Sequence, residues 1–111
     1  MSLIRIITYK TSTGKEPFAE WLLSLDKVTR AIVTARLRRI SLGNFGDCKL
    51  LKEASGVCEL RIDYGAGYRV YFGRFDVRIL VVLLVGGDKG SQRRDIAKAQ
   101  KYWLDYKESQ E

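Results

Sequence analysis

The chain has 111 residues and a mass of 12.7 kDa, with 46% hydrophobic and 30% charged residues, a formal net charge of +7 and a pI near 9.6. That length supports one domain over residues 1–111, with a core large enough to need neither disulfides nor a structural metal. The longest apolar run, residues 79–85, is far short of the ~20 residues a membrane-spanning helix needs, and no charged-then-apolar leader opens the sequence, so a cytoplasmic protein is expected.

The positive charge is unevenly spread. Residues 27–78 carry eleven Lys or Arg against five Asp or Glu, whereas the flanking segments are nearly balanced. Clustered cations are what a nucleic-acid footprint requires, because releasing counterions rewards several cations on one surface. For the stretch from Lys27 to Arg39 alone, a solvated helix face is the plainer reading. Cys48 and Cys58 stand without any histidine or further cysteine, so no zinc set can be assembled and two free thiols are expected.

Residues 3–9 (LIRIITY) are rich in β-branched and aromatic side chains and predict a first strand, which Thr11-Ser12-Thr13-Gly14 breaks. Pro17 suits the first turn of a helix, and Phe18, Trp21, Leu22 and Leu25 recur at helical spacing over about three turns. Asp26 is placed to cap a second helix reaching Leu42, with Val28, Ala31, Ile32, Ala35 and Ile40 facing inward and Arg30, Thr34 and Arg38 on another face. The two helices are expected to form a hairpin on the sheet. Gly43-Asn44-Phe45-Gly46-Asp47 then supplies loop chemistry.

Three strands are expected next, at residues 57–63, 68–72 and 77–85, joined across Gly65-Ala66-Gly67 and across residues 73–76. The apolar stretch 79–85 predicts an interior strand covered by helices on at least one side. After Gly86-Gly87-Asp88-Lys89-Gly90, Ser91 is placed to cap a last helix with Ile96, Ala99, Trp103 and Tyr106 on one face. The expected fold is α+β in the order βααβββα: a small central sheet with two N-terminal helices and one C-terminal helix.

Alternation sends Leu60 and Ile62 to one face of the first hairpin and Glu59, Arg61 and Asp63 to the other, while Val70 and Phe72 leave Arg69 and Tyr71 opposite them. Lys89 reaches that face if the last strand pairs beside the hairpin. A cross-strand charge ladder, worth ~0.2–1 kcal/mol per pair, is the ordinary explanation for such a pattern. Converging arginines are also what a phosphate requires. Gly86 to Gly90 lacks the spacing of a nucleotide P-loop, which argues against ATP or GTP binding.

Together these pieces resemble the RelE/HigB/ParE superfamily of bacterial toxins, specifically its phage-derived HigB-like addiction module killer proteins, over nearly the whole length. The resemblance is carried by Lys15-Glu-Pro-Phe with Trp21-Leu22, by Lys49-Leu-Leu-Lys52 with Gly56-Val-Cys-Glu-Leu-Arg61, by Tyr64-Gly-Ala-Gly-Tyr-Arg-Val-Tyr-Phe72, and by Leu84-Val-Gly-Gly-Asp-Lys89 with Gln92-Arg-Arg-Asp-Ile96. It implies the toxin of a type II toxin-antitoxin system. Such a protein cleaves messenger RNA at the ribosome, inhibits translation, and is held in check by a small antitoxin of helix-turn-helix type. It implies Arg61, Arg69 and Lys89 as catalytic residues, and Arg61, Arg69, Tyr68, Tyr71, Lys89 and Lys52 as RNA contacts. The histidine of some HigB proteins is missing here.

Attack of a 2′-hydroxyl on the adjacent phosphate needs a proton acceptor, a proton donor for the leaving oxygen, and cations for the phosphorane. Arg61 and Arg69 suit the last role, since guanidinium is a fixed, always-charged fork of donors. Lys89 is placed as acid or base, with Asp88 or Glu59 as alternative bases and Tyr68 or Tyr71 as stacking platforms. Neither metal nor cofactor is expected. Two other classes remain open: a ParE-like poison of DNA gyrase without catalysis, and a non-toxic nucleic-acid-binding module.

Overall fold

Five short runs of alternating or wholly apolar residues form one mixed sheet in the computed structural model, which describes residues 3–75 and 80–110. The strands are β1 (Arg5–Thr8), β2 (Cys48–Leu51), β3 (Val57–Ile62), β4 (Tyr68–Phe75) and β5 (Leu80–Asp88), in the spatial order β1-β5-β4-β3-β2. β1 runs parallel to β5, and the other neighbours are antiparallel. Three helices, α1 (Pro17–Ser24), α2 (Lys27–Ser41) and α3 (Gln92–Ser109), complete an α+β fold.

The order is therefore βααββββα, one strand more than expected. β2 escaped the sequence pattern because it is an edge strand of four residues, paired with β3 alone, whose Lys49 and Leu50 both face solvent. An element buried on so little of its surface leaves almost no hydrophobic period to read.

Side-chain alternation divides the core between the two faces. Leu60, Ile62, Val70, Phe72, Val81 and Leu83 meet Phe18 of α1 and Val33 and Ile40 of α2. On the other face Val57, Tyr71, Val82, Leu84 and Val85 meet Ala99 and Trp103 of α3. β5 is interior and buried from Leu80 to Gly87, with helices over both of its faces, as its composition suggested.

α1 is eight residues long, about two turns rather than three, and Phe18, Trp21, Leu22 and Leu25 do face the core. α2 turns differently from expectation: Val28, Ala31 and Ala35 are exposed, while Thr29, Val33 and Ile40 are buried with Ile32 and Leu37 partly so. Two apolar stripes one position apart compete on this helix. The stripe holding Val33 and Leu37 removes more apolar surface from water than one holding Ala31 and Ala35, and so it wins. Asp26 caps α2 as expected, accepting a hydrogen bond from the Thr29 amide at 2.7 Å. That bond to the carboxylate holds its pKa below the ordinary value.

The last strand runs on through Gly86 and Gly87, which the sequence placed in a loop. Their lack of a side chain serves packing: a Cβ at Gly86 would enter the Trp21 indole, and one at Gly87 the Asp95 carboxylate. Gly73, expected in the turn at 73–76, is likewise strand, paired with Val82 against the Trp103 ring. Arg74 and Phe75, expected in the same turn, also belong to β4, opposite Val81 and Leu80, while residue 76 and the start of the expected strand at 77–79 lie outside the described residues. Among the described residues no helix is long and apolar enough to cross a membrane.

Candidate functional site

Cross-strand register decides which charges meet. Arg61 of β3 lies directly opposite Arg69 of β4, which in turn lies opposite Gly87 of β5. Side chains so paired have Cβ atoms about 4.5–5.5 Å apart, and like charges in that relation repel. Lys89 follows two residues after Gly87 in a 3-10 turn, close enough to the hairpin that a Cβ on Gly67 would lie 3.5 Å from the Lys89 Cβ and 3.4 Å from an Arg69 nitrogen. The three cations named from the sequence thus converge at one end of the sheet.

Acids and carbonyls hold them unequally. Arg61 is half exposed and meets Asp47, itself exposed, at 3.3 Å, a pair that solvent screens and phosphate can displace. Arg69 is largely buried: its Nη1 donates to the carbonyls of Gly67 at 3.0 Å and Tyr68 at 3.4 Å, and its Nε lies 4.0 Å from a Glu59 carboxylate that is only 2% exposed. That Nε makes no hydrogen bond among the described residues. Lys89 is exposed.

Beneath these cations lies a polar layer between the sheet and the first turn of α3. Gln92 Nε2 donates to Glu59 Oε2 at 2.7 Å. Ser91 Oγ donates to Asp95 Oδ2 at 2.5 Å, and Asp95 is buried against Gly87. Asp88 accepts from the amides of Gly90 and Ser91 and so caps the turn that leads into α3, the role expected of Ser91. Tyr71 is the register partner of Glu59 and is fully buried. Its hydroxyl lacks hydrogen-bond geometry to any partner among the described residues, yet it lies near enough to Glu59 for burial, first, and the carboxylate's charge, second, to push its pKa up.

Several assignments change as a result. Tyr71 has no exposed ring on which a base can stack, and Tyr68 points to the opposite face of the sheet, half-buried 6.4 Å from Trp21 between ring centres. Lys52 is exposed but lies past Leu51, whose partner Val57 is four residues before Arg61, about 13 Å along the strand. Of the alternative bases, Glu59 is buried beneath Arg69 and Asp88 is engaged as a cap. Sequence reasoning passed over Asp47 as the partner of Arg61 and Gln92 as the partner of Glu59, because neither contact leaves a mark in local periodicity.

A cleft of about 520 Å³ opens where β1 ends, since β1 pairs with β5 at Leu80, Val81, Val82 and Leu83 and leaves the edge beyond uncovered by a strand. Lys15, Arg94 and Lys98 line it, together with Trp21, Gly86 and Asp95. It adjoins the cation cluster along α3 without containing Arg61, Arg69 or Lys89. Cys48 and Cys58 sit half-buried on the α2 side of the sheet, and burial pushes the Cys48 thiol up to about 11. No group of acid and thiol side chains among the described residues is arranged to hold a metal ion.

No family model and no solved structure matches the chain. A protein of Haemophilus influenzae (strain ATCC 51907 / DSM 11121 / KW20 / Rd), described as an uncharacterized protein, is 45% identical over 84 residues, which cover 75% of this chain and 82% of the relative. With identity of that order across most of both chains, the chain belongs to the family of this Haemophilus influenzae protein.

Proposed function

We propose that this protein is a HigB-like member of the RelE superfamily of toxins, the toxic half of a type II toxin-antitoxin system, and that it cleaves messenger RNA on the translating ribosome in the cytoplasm. The observation that carries the reading is the direct cross-strand pairing of Arg61 with Arg69, with Lys89 at the adjoining strand end. A sheet loses stability by opposing two like charges, and a phosphate between them reverses the sign of that interaction. The mixed sheet with α1 and α2 on one face and α3 on the other supports the same reading.

In this reading Arg69, clamped by two carbonyls, is the preorganised cation for the phosphorane, and Arg61 swings from Asp47 to the second phosphate oxygen. Lys89 donates a proton to the leaving 5′-oxygen and the 2′-hydroxyl proton passes to solvent, because Glu59 and Tyr71 are buried and Asp88 is committed to capping. The ribosome supplies the in-line geometry of the RNA, which leaves less for proton transfer to contribute. Little cleavage of naked RNA is expected. A small helix-turn-helix antitoxin is the proposed protein partner.

The test is brief induction in bacteria beside an Arg61→Ala/Lys89→Ala control, both sites being exposed, with new RNA 5′ ends and translation rate mapped together. Cuts inside translated codons that vanish in the control support the reading. Growth arrest with intact RNA and broken DNA would replace it with a gyrase poison, and absence of arrest with a non-toxic nucleic-acid-binding module.

A further inference from the structure

Arg69 is buried beside a charge that faces no solvent. Glu59, 2% exposed in the middle of β3, is shared by three donors from two elements: Gln92 Nε2 of α3 at 2.7 Å, Arg69 Nε of β4 at 4.0 Å, and the Tyr71 hydroxyl of β4 nearby. Among the described residues only Gln92 makes a hydrogen bond of good geometry to it, and both Arg69 Nε and Tyr71 Oη are buried without one. A carboxylate with two unsatisfied donors beside it turns to whichever is left free to bond it. Gln92 therefore decides where the carboxylate sits.

We propose that Gln92 and Glu59 are positioning residues: Gln92, the first residue of α3, fixes the Glu59 carboxylate, and Glu59 thereby sets the orientation of the Arg69 guanidinium toward phosphate. The proposal rests on the ribonuclease reading for its consequence in catalysis, but not for its consequence at Arg69. It also makes the cation site responsive to how α3 is docked. The first turn of α3 is fastened to the sheet by the approach of Asp95 to Gly87 and by the hydrogen bond that the Asp88 amide of β5 donates to Ser91 Oγ at 3.3 Å, so any partner that loosens this turn removes Gln92 from Glu59. The carboxylate then closes on Arg69 Nε or on Tyr71, and the guanidinium is drawn away from substrate.

The experiment compares wild type with Gln92→Leu, which keeps bulk and removes the donor, and Gln92→Lys, which restores one. Gln92→Ala stands in if Gln92→Leu fails to fold. Inorganic phosphate is titrated into nitrogen-labelled protein while the Arg69 Nε–H resonance is followed, and cleavage of messenger RNA on purified translating ribosomes is measured in parallel. Gln92→Leu should shift the Arg69 resonance, weaken phosphate binding there about tenfold, and lower kcat about 10- to 100-fold with KM within about twofold, as expected for a displaced catalytic group. Gln92→Lys should recover both. In an Arg69→Lys background Gln92→Leu should add nothing, whereas in an Arg61→Ala background its full effect should remain.

An Arg69 resonance and phosphate affinity unchanged in Gln92→Leu overturn the relay, whatever the cleavage data. A loss that Gln92→Lys fails to recover, or that persists in the Arg69→Lys background, also overturns it in favour of a general loss of structure. If wild type cuts no RNA but the resonance and phosphate affinity respond as stated, the relay stands and the ribonuclease reading falls.

Discussion

The segment Gly86-Gly87-Asp88-Lys89-Gly90 offers a direct test, because its three glycines look alike in sequence and differ in three dimensions. A Cβ on Gly87 would fall within the Asp95 carboxylate, with Asp95 Cγ and Ser91 Oγ each 2.8 Å away, and Asp95 is only 5% exposed. To admit a methyl group, Asp95 must leave the Ser91 hydrogen bond or α3 must lift. Overpacking of this kind costs ~1–3 kcal/mol and loss of a hydrogen bond to a charged group ~1.5–3, against a backbone gain of ~0.5–1 from replacing glycine in a strand. A net loss of ~2 kcal/mol is expected for Gly87→Ala. With an unfolding entropy of ~2.1 cal/mol/K per residue, a chain of this length then melts about 9 °C lower. Gly86→Ala, which drives a methyl into the rigid Trp21 indole, should lose about as much. Gly90→Ala should stay within about 2 °C of wild type, since the site is exposed and the nearest atom is Asp88 Oδ1 at 3.2 Å. Melting followed by circular dichroism measures all three. Three equal shifts, or no shift at Gly87, would refute the packing argument and return the segment to a flexible loop.

Arg69→Ala leaves the buried Glu59 carboxylate without its ion pair and should lower stability by ~3–5 kcal/mol, whereas Arg69→Ala combined with Glu59→Gln should regain much of the loss. Urea unfolding checks this, and equal stability of the single and double variants would contradict it; the same logic warns that Arg69→Ala confounds lost activity with lost folding. The Asp26 pKa is lowered in the folded state, so its contribution is fully present above the unfolded value near 3.8 and fades as pH falls through the lower folded value; Asp26→Ala should flatten the acid limb of the urea midpoint against pH. With its thiol pushed up to about 11, Cys48 is roughly 0.1% thiolate at about pH 8, and alkylation by iodoacetamide, followed by mass spectrometry of its peptide, should lag far behind that of free cysteine. Reaction at the free-cysteine rate would mean that Cys48 is not buried as described.

Much of this protein is written in local periodicity. The alternation of residues 57–63 and 68–72 was enough to put Arg61 and Arg69 on one face and Leu60, Ile62, Val70 and Phe72 on the other, and the apolar run ending at Val85 was enough to make β5 an interior strand. α1 and α3 likewise face the core as their spacing requires. Such features need only the geometry of a single strand or helix, which the order of side chains determines directly.

Other features had no local cause. α2 carried two apolar stripes, and only the sheet beneath it selected the one containing Val33. β5 holds an extra residue between Tyr71 and Phe72 of its neighbour, so that Leu84 and Val85 both face α3, and this bulge turns Gly87 to the face of Arg69. Without that shift the side-chain order would have put Gly87 on the other side of the sheet. The burial of Glu59 and Tyr71, and the reach of Gln92 across 33 positions to Glu59, depend in the same way on α3 closing over the sheet. The sequence by itself determined which charges could share a face; the tertiary structure decided which stay in water and which are locked beneath a helix, because desolvation belongs to the packed whole and to no single element.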